Sequence, residues 1–270
     1  MSKTRSAGTS PRRLALVTGA SGGIGADIAR VLAARGVDLA LTARTGPSLE
    51  ALADEIAATG RPRPLVFALD LAHPDAPQIL VDGLHQSGAT VSMLINNAGY
   101  GLMGEIDSLD RAEQVGIIDL NVRALVDLTI RLLPDIEAAR GHIMNVASIA
   151  AFFPGPGMAI YYASKAFVLS FSDALSEEVK RKGVIVSALC PGLTETGFGA
   201  RARMGEGLTK LSPKMSAMEV AVAGVDGMMA GHRRVVPGLQ NRAATILSHF
   251  VPKMLSLPII RSIQMTRLGK

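Results

Sequence analysis

Apolar runs closed by glycine-rich or polar turns alternate along this chain with stretches whose apolar positions recur every three or four residues. The first unit is "LALVTGASGGIGADIARVLAARGVDLALTAR". Its opening run ends at Thr18, a glycine turn follows, a helical pattern stops at Gly36, and a second run ends at Arg44. That predicts strand, turn, helix, strand. The rhythm then repeats. "SLEALADEIAATG" reads as a helix before the strand "RPLVFALDL", and "QILVDGLHQSG" as a helix before "VSMLINNAG". "RAEQVGIIDLNVRALVDLTIRLLPDIEAA" reads as one long helix. After it come the strand "GHIMNVASIAA", the helix "AIYYASKAFVLSFSDALSEEVKRKG" and the strand "VIVSALCPG". Continuous apolar strands, as opposed to alternating ones, predict a parallel sheet buried on both faces. Strands separated by helices predict an α/β fold, a doubly wound sheet of about seven strands with helices on both faces.

After Gly192 the rhythm breaks. "LTETGFGARARMGEGLTKL" has few strand signals and reads as an irregular lid over about 193–215. "MSAMEVAVAGVDGMMAG" resumes a helix, with Ser216 and Glu219 spaced as a capping box and Met215 and Val220 as its staple. "RRVVPG" is a short last strand. No repeat or linker splits the chain. It reads as one domain over 14–238, with a flexible basic N-terminus at 1–13 and an amphipathic C-terminal extension at 239–270.

Composition narrows the function classes. The chain has 270 residues, 48% hydrophobic and 19% charged, an ordinary globular profile. Its net charge of +5 owes much to Lys3, Arg5, Arg12 and Arg13 at one end and Arg261, Arg267 and Lys270 at the other. No aromatic-and-basic motif accompanies that charge, so nucleic-acid binding is not expected. A single cysteine, Cys190, rules out an internal disulfide and suits a reducing, cytoplasmic setting. Placed before Pro191, it reads as core. The histidines at 73, 85, 142, 232 and 249 lack metal-ligand spacing, so no metal is expected. No apolar run reaches the roughly 18 residues of a spanning helix.

Thr18-Gly19-Ala20-Ser21-Gly22-Gly23-Ile24-Gly25 lies between the first strand and helix. Glycines there let the backbone approach a pyrophosphate at the helix N-terminus. An acid ending the second strand would bind the free 2′-hydroxyl of NAD. Here Arg44 ends it and Asp38 is at the wrong end, which favours NADP, with NAD as the alternative.

Thr18-Gly19, Gly23 and Gly25 resemble the cofactor loop of the short-chain dehydrogenase/reductase family, a Rossmann fold. Asp70 after the third strand, Asn96-Asn97-Ala98-Gly99 on the fourth, Asn121, Ser148 and Pro191-Gly192 follow in the family's order, over roughly Leu14 to Gly238. The resemblance implies a cofactor site of Gly19, Ser21, Gly23, Ile24, Gly25, Arg44, Asp70, Leu71, Asn97, Ala98 and Gly99. It adds Tyr161, Lys165, Pro191, Gly192, and Thr194 or Thr196, of which Thr196 better fits the family spacing. Many NADP-using members carry a second basic residue in the loop, where this chain has Gly22.

Carbonyl reduction needs an acid, and a tyrosine, with its unperturbed pKa near 10, needs help to serve near neutral pH. A nearby ammonium gives that help. Tyr161 stands four residues before Lys165 and Tyr162 three before it, so spacing alone leaves both open. The family pattern puts its tyrosine four before the lysine and about thirteen after the serine, which Ser148 and Tyr161 satisfy. The resemblance thus implies Tyr161 as general acid and base, Lys165 lowering its pKa and holding the ribose, and Ser148 on the substrate oxygen. Asn121 would hold a relay water. Phe152, Phe153, Pro154, Met158, Phe198 and Met204 suggest a hydrophobic ketone or acyl-type carbonyl substrate. A non-catalytic NADP(H)-binding regulator is the rival. The tail resembles the extended C-termini of the branch with acyl-chain reductases. It would pack on its own body or a partner, or contact a membrane surface. Family pairing of the helices carrying Asn121 and Tyr161 implies a homodimer or homotetramer.

Overall fold

The computed structural model describes residues 12–203 and 214–248, with 250, 251, 254, 257, 258 and 260–262 of the tail. Residues 1–11, Met204 and the middle of the expected lid lie outside the described residues.

The predicted alternation runs β1 (Arg12–Thr18), α1 (Gly23–Ala34), β2 (Leu39–Ala43), α2 (Gly46–Ala58), β3 (Leu65–Ala68), α3 (Ala76–Gln86) and β4 (Ala89–Asn96). Next come α4 (Arg111–Ile118), α5 (Leu125–Ala139), β5 (His142–Val146), α6 (Ala159–Glu178) and β6 (Ile185–Leu189). The last elements are β7 (Thr194–Glu195), α7 (Phe198–Arg201), β8 (Met215–Ser216), α8 (Ala217–Met229), β9 (Arg234–Val235) and α9 (Leu239–Leu247). Seven strands form one parallel sheet in the order β3-β2-β1-β4-β5-β6-β9. The order reverses between β1 and β4, which opens a crevice above their C-terminal ends.

Why the strands read as unbroken apolar runs is visible along β1. Ala15 and Val17 enter a core built with Ile28, Leu32, Leu49 and Val225 of α1, α2 and α8. Leu14 and Leu16 enter the opposite core with Leu80, Leu132, Ile136 and Leu175 of α3, α5 and α6. Alternate side chains serve opposite faces, and both faces are apolar.

A chain of buried polar groups crosses the second core. Asn96 Nδ2 donates to Thr129 Oγ1 (3.1 Å) and to Asn145 Oδ1 (2.9 Å), and Asn145 Nδ2 donates to Ser172 Oγ (2.9 Å). The two hydroxyls donate in turn to Leu125 O and Val168 O inside their own helices. Every member of the chain has a partner, which is the condition for burying polar groups cheaply.

Three features depart from the sequence-based expectation. Arg12 and Arg13 belong to β1, not to a flexible terminus, and Arg12 is held by an ion pair to Asp38. The lid contains some regular structure: β7 and β8 pair in parallel, and α7 makes one turn. The long helix is interrupted between α4 and α5 by a π-helical turn, Asp119–Ala124, which carries Asn121. The capping box formed as predicted: Ser216 Oγ accepts the Glu219 N–H (3.1 Å) and Glu219 Oε2 accepts the Ser216 N–H (2.8 Å). Met215 and Val220 pack in the same core. Among the described residues, no helix is long and apolar enough to cross a membrane.

Candidate active site

The glycine loop is clasped to the end of β4 by two side chains. Thr18 Oγ1 accepts the N–H groups of Asn97 and Ala98, both at 2.9 Å, and donates to Ile95 O (3.2 Å). Asn97 Nδ2 donates to Thr18 O (2.9 Å) and Gly19 O (3.2 Å). Glycine is required where the clasp is tightest. Gly19 has φ +66°, and a Cβ there would lie 2.8 Å from Asn97 Nδ2, while one at Gly25 would strike both Asn97 Nδ2 and Gly19 O. Gly22, which precedes α1, has nothing within 4 Å of an added Cβ, and no side chain caps the helix. Open backbone at an uncapped helix N-terminus, at the crevice where strand order reverses, fits a phosphate-bearing dinucleotide.

The other expected cofactor residues surround this cradle unevenly. Ser21, Arg44 and Asp70 are exposed, and Ile24 and Ala98 are half-buried. The side chain of Leu71 is 3% exposed and packs in the core, so only its backbone faces outward. Thr196 rests its methyl group on Gly23, at 3.0 Å from an added Cβ. Thr194 instead donates its hydroxyl to Gly192 O (3.1 Å), so Thr196 is the threonine that reaches the loop. Gly99 lies flat against Asn121 Oδ1 and beside Lys165 Nζ. Pro191 is buried, and its carbonyl accepts the Ile149 N–H (3.0 Å). Gly192 is covered by the side chain of Asn241 from α9, which also donates to Pro237 O (2.7 Å).

Ser148, Tyr161 and Lys165 converge beyond the end of β5, and all three are buried. Ser148 Oγ accepts the Ala150 N–H (3.1 Å), and the Ser148 side chain shares a hydrogen bond with Tyr161. Lys165 Nζ donates to Val146 O (2.8 Å) and lies 5.9 Å from the Tyr161 ring centroid. Burial pushes the Tyr161 phenol up to about 12, against the Ser148 hydrogen bond. Burial also lowers the Lys165 ammonium to about 8. The pKa depression expected of Lys165 is therefore not what the structure holds. Its ammonium is turned to the Val146 carbonyl, and loss of solvation dominates the phenol. Tyr162 points elsewhere. Its ring meets that of Tyr161 edge-on at 6.1 Å and 78°, and Gly155 lies against its face.

Asn121 does not present a free amide for a relay water. Its Oδ1 accepts the Tyr100 N–H (3.0 Å), and its Nδ2 donates to Tyr100 O (3.0 Å) and Ser164 Oγ (3.0 Å). Ser164 Oγ in turn donates to Tyr161 O (2.7 Å). Asn121 thus ties the segment after β4 to the turn of α6 that carries Tyr161. Ser164 and Tyr100 escaped the sequence reasoning. The signal for Ser164 was present, since it follows Tyr161 by three residues and so shares its face. Cys190 is fully buried, and its thiol is pushed up to about 12 by that burial, so it is core as expected.

A cavity of about 710 Å³ has Tyr161 in its wall. Its lining is mostly apolar, with Leu102, Leu109, Ile117, Met158 and Ile160 from the body and Leu257, Pro258 and Arg261 from the tail. Of the expected apolar wall, Met158 packs with Tyr161, and the Phe198 ring lies 5.2 Å from that of Tyr161. Phe152 does not join them. It packs beside Ala147, Val168 and Cys190. No cluster of three potential metal ligands occurs among the described residues.

The family model for short chain dehydrogenase matches residues 13–207. The chain belongs to the short-chain dehydrogenase family. As an oxidoreductase of that family it is 40% identical to sulfoacetaldehyde reductase of Chromohalobacter salexigens over 185 residues, 67% of this chain and 72% of that protein. Its fold matches the short-chain dehydrogenase from Sphingobium yanoikuyae in complex with NADPH, with TM-score 0.77 and 33% identity over 84% of this chain and 88% of that one. It also matches the bulky-bulky ketone specific alcohol dehydrogenase from Comamonas testosteroni, with TM-score 0.74 and 28% identity over 91% of this chain and 96% of that one.

Proposed function

We propose that this short-chain dehydrogenase transfers hydride between NADP(H) and a hydrophobic ketone or acyl-type carbonyl, with Tyr161 as the acid and base. The convergence of Tyr161, Ser148 and Lys165 in one buried pocket beside the glycine cradle carries this reading. A bound nicotinamide supplies or accepts the hydride. Gly19, Gly23 and the start of α1 hold the phosphates, Thr196 reaches them from the lid, and Arg44 takes the 2′-phosphate. Ser148 donates to the substrate oxygen and stabilises the developing alkoxide. Tyr161, protonated at neutral pH, gives its proton to that oxygen in reduction and takes it back in oxidation. Lys165 would hold the nicotinamide ribose, exchanging its bond to Val146 O for one to the ribose. The Asn121 amide is engaged with Tyr100 and Ser164, so its role is to position the turn that carries Tyr161.

The cavity beside Tyr161 supports an apolar substrate, and the ketone-specific Comamonas enzyme reduces bulky ketones by its name. The sulfoacetaldehyde reductase of Chromohalobacter acts by name on a small polar aldehyde, so substrate size and polarity are the variables to test. A subunit assembly is supported by Val115, Ile118, Ile130 and Phe167, exposed apolar side chains on the helices that carry or flank Asn121 and Tyr161. The deciding experiment follows NADPH oxidation across ketones and aldehydes of graded size. Tyr161→Phe should lose about 10²–10⁴-fold in turnover while still binding NADPH. Tight NADPH binding with no turnover on any carbonyl would establish the regulator in place of the enzyme.

A further inference from the structure

The short helix α7 is docked onto the body by contacts at both ends. The Phe198 ring lies against Tyr161, the Met103 N–H donates to Ala202 O (2.9 Å), and Arg203 Nη2 donates to both carboxylate oxygens of Glu113 (3.2 and 2.9 Å). Between these contacts Arg201 lays its guanidinium over the Tyr100 ring, 4.5 Å from the centroid. That ring is itself fixed, because the Tyr100 hydroxyl donates to Glu113 O (2.6 Å).

Tyr100 follows Gly99 at the end of β4, and Arg44 follows the end of β2. β1 lies between those two strands, so Arg44 and Arg201 flank the crevice above the glycine loop from opposite sides. Neither guanidinium is ion-paired among the described residues, whereas Arg203, two residues away, is. Arg44 is close enough to act on both Tyr100 and Arg201. Partial burial, and then the like charge of Arg44, both disfavour the charge on Arg201. Asp70 and Glu113 act on Arg201 in the opposite direction, but among the described residues neither is ion-paired with it, so an anion placed between the two guanidiniums gains from both. The lid that carries Arg201 is rooted at Thr196, whose methyl group touches the glycine cradle at Gly23.

We propose that Arg201 is a second determinant for the adenosine 2′-phosphate, presented by the docked helix α7. The proposal rests on the NADP(H) reading above.

The test is isothermal titration of the full chain with NADPH and with NADH, for the wild type, Arg201→Gln, Arg44→Gln and the double variant. Arg201→Lys, which keeps the charge but loses the planar fork, is run alongside. Arg201→Gln should weaken NADPH by roughly 10- to 100-fold, the loss of a charge-assisted contact, and weaken NADH by less than about twofold. The double variant should lose less than the product of the two single losses, because both act on one group. Unchanged NADH affinity is also the control for folding. Equal weakening of both cofactors, or no weakening of either, overturns the assignment of Arg201 while leaving the enzyme reading intact. A wild-type protein that binds neither dinucleotide overturns the cofactor reading itself.

Discussion

Thr18 is 2% exposed and its single hydroxyl serves three backbone groups at the crevice: it accepts from Asn97 and Ala98 and donates to Ile95 O. Thr18→Val keeps the shape and removes all three bonds. Ile95 O also accepts the Asn97 N–H (3.1 Å), so Asn97 keeps a partner and the cost falls on the Ala98 N–H. Leaving a buried donor without a partner costs about 1–3 kcal/mol. Ala98 is half-buried, so the lower part of that range applies, about 1–2 kcal/mol. In a protein of this size about 1 kcal/mol moves Tm by roughly 2–4 °C, which puts the expected fall at about 2–8 °C. The assay is thermal unfolding at fixed protein concentration, since any assembly makes Tm concentration-dependent. Thr18→Ser keeps the hydroxyl and should stay within about 3 °C of the wild type, losing only a methyl contact. The same variants should be titrated with NADPH, because the bonds lost also position Gly19. A Thr18→Val protein as stable as the wild type would falsify the clasp as an energetic feature of the fold.

Tyr162→Phe should keep most of the turnover that Tyr161→Phe loses, measured side by side on one ketone; the reverse result would place the reactive hydroxyl one residue on. Lys165 has a folded pKa depressed from 10.5 to about 8, so the unfolded chain binds more protons between those values and stability falls as pH drops from 10.5 toward 8. Between pH 8 and 10, below the range where Tyr161 titrates, Lys165→Met should flatten this slope in denaturant midpoints. A slope that persists unchanged would assign it to other groups. Phe167, 42% exposed and stacked on Phe171 at 6.0 Å, should be part of the subunit contact. Phe167→Asp should shift sedimentation toward monomer, and an unaltered profile would move the contact to another face.

Much of the sheet was legible because both faces of each central strand are apolar, so Leu14–Val17 announces itself without any knowledge of its neighbours. Arg12 and Arg13 did not look like strand, since charge marks an edge or a tail. Only the ion pair to Asp38, 26 residues away, shows why the strand starts earlier. The π-turn at Asn121 left no trace in the sequence. It is a shift in which backbone carbonyl each N–H meets, and the side-chain pattern barely changes. That Ser148, Tyr161 and Lys165 would meet was legible from their order in the chain. Their electrostatics were not, because the direction of the Tyr161 shift depends on burial and on where Lys165 points. Neither of those is a property of spacing. Arg201 was hidden for another reason: an arginine in a lid segment looks like any solvated cation until the fold sets it over Tyr100.

The buried asparagines of β4 and β5 have a consequence for how the chain finds its alignment. Antiparallel neighbours inherit their alignment from the hairpin that joins them, but β4 and β5 are parallel and separated by two helices. Their other facing pairs, Met93 with His142, Leu94 with Ile143 and Ile95 with Met144, include apolar residues that a shifted strand could also bury. Asn96 opposite Asn145 cannot be shifted so cheaply, because a slip of one residue turns one amide toward the wrong core and leaves the other without its partner. The pair acts as a key that only one alignment turns. Since β5 leads directly to Ser148 and Lys165 bonds to Val146, the same key sets the height at which the serine meets the tyrosine.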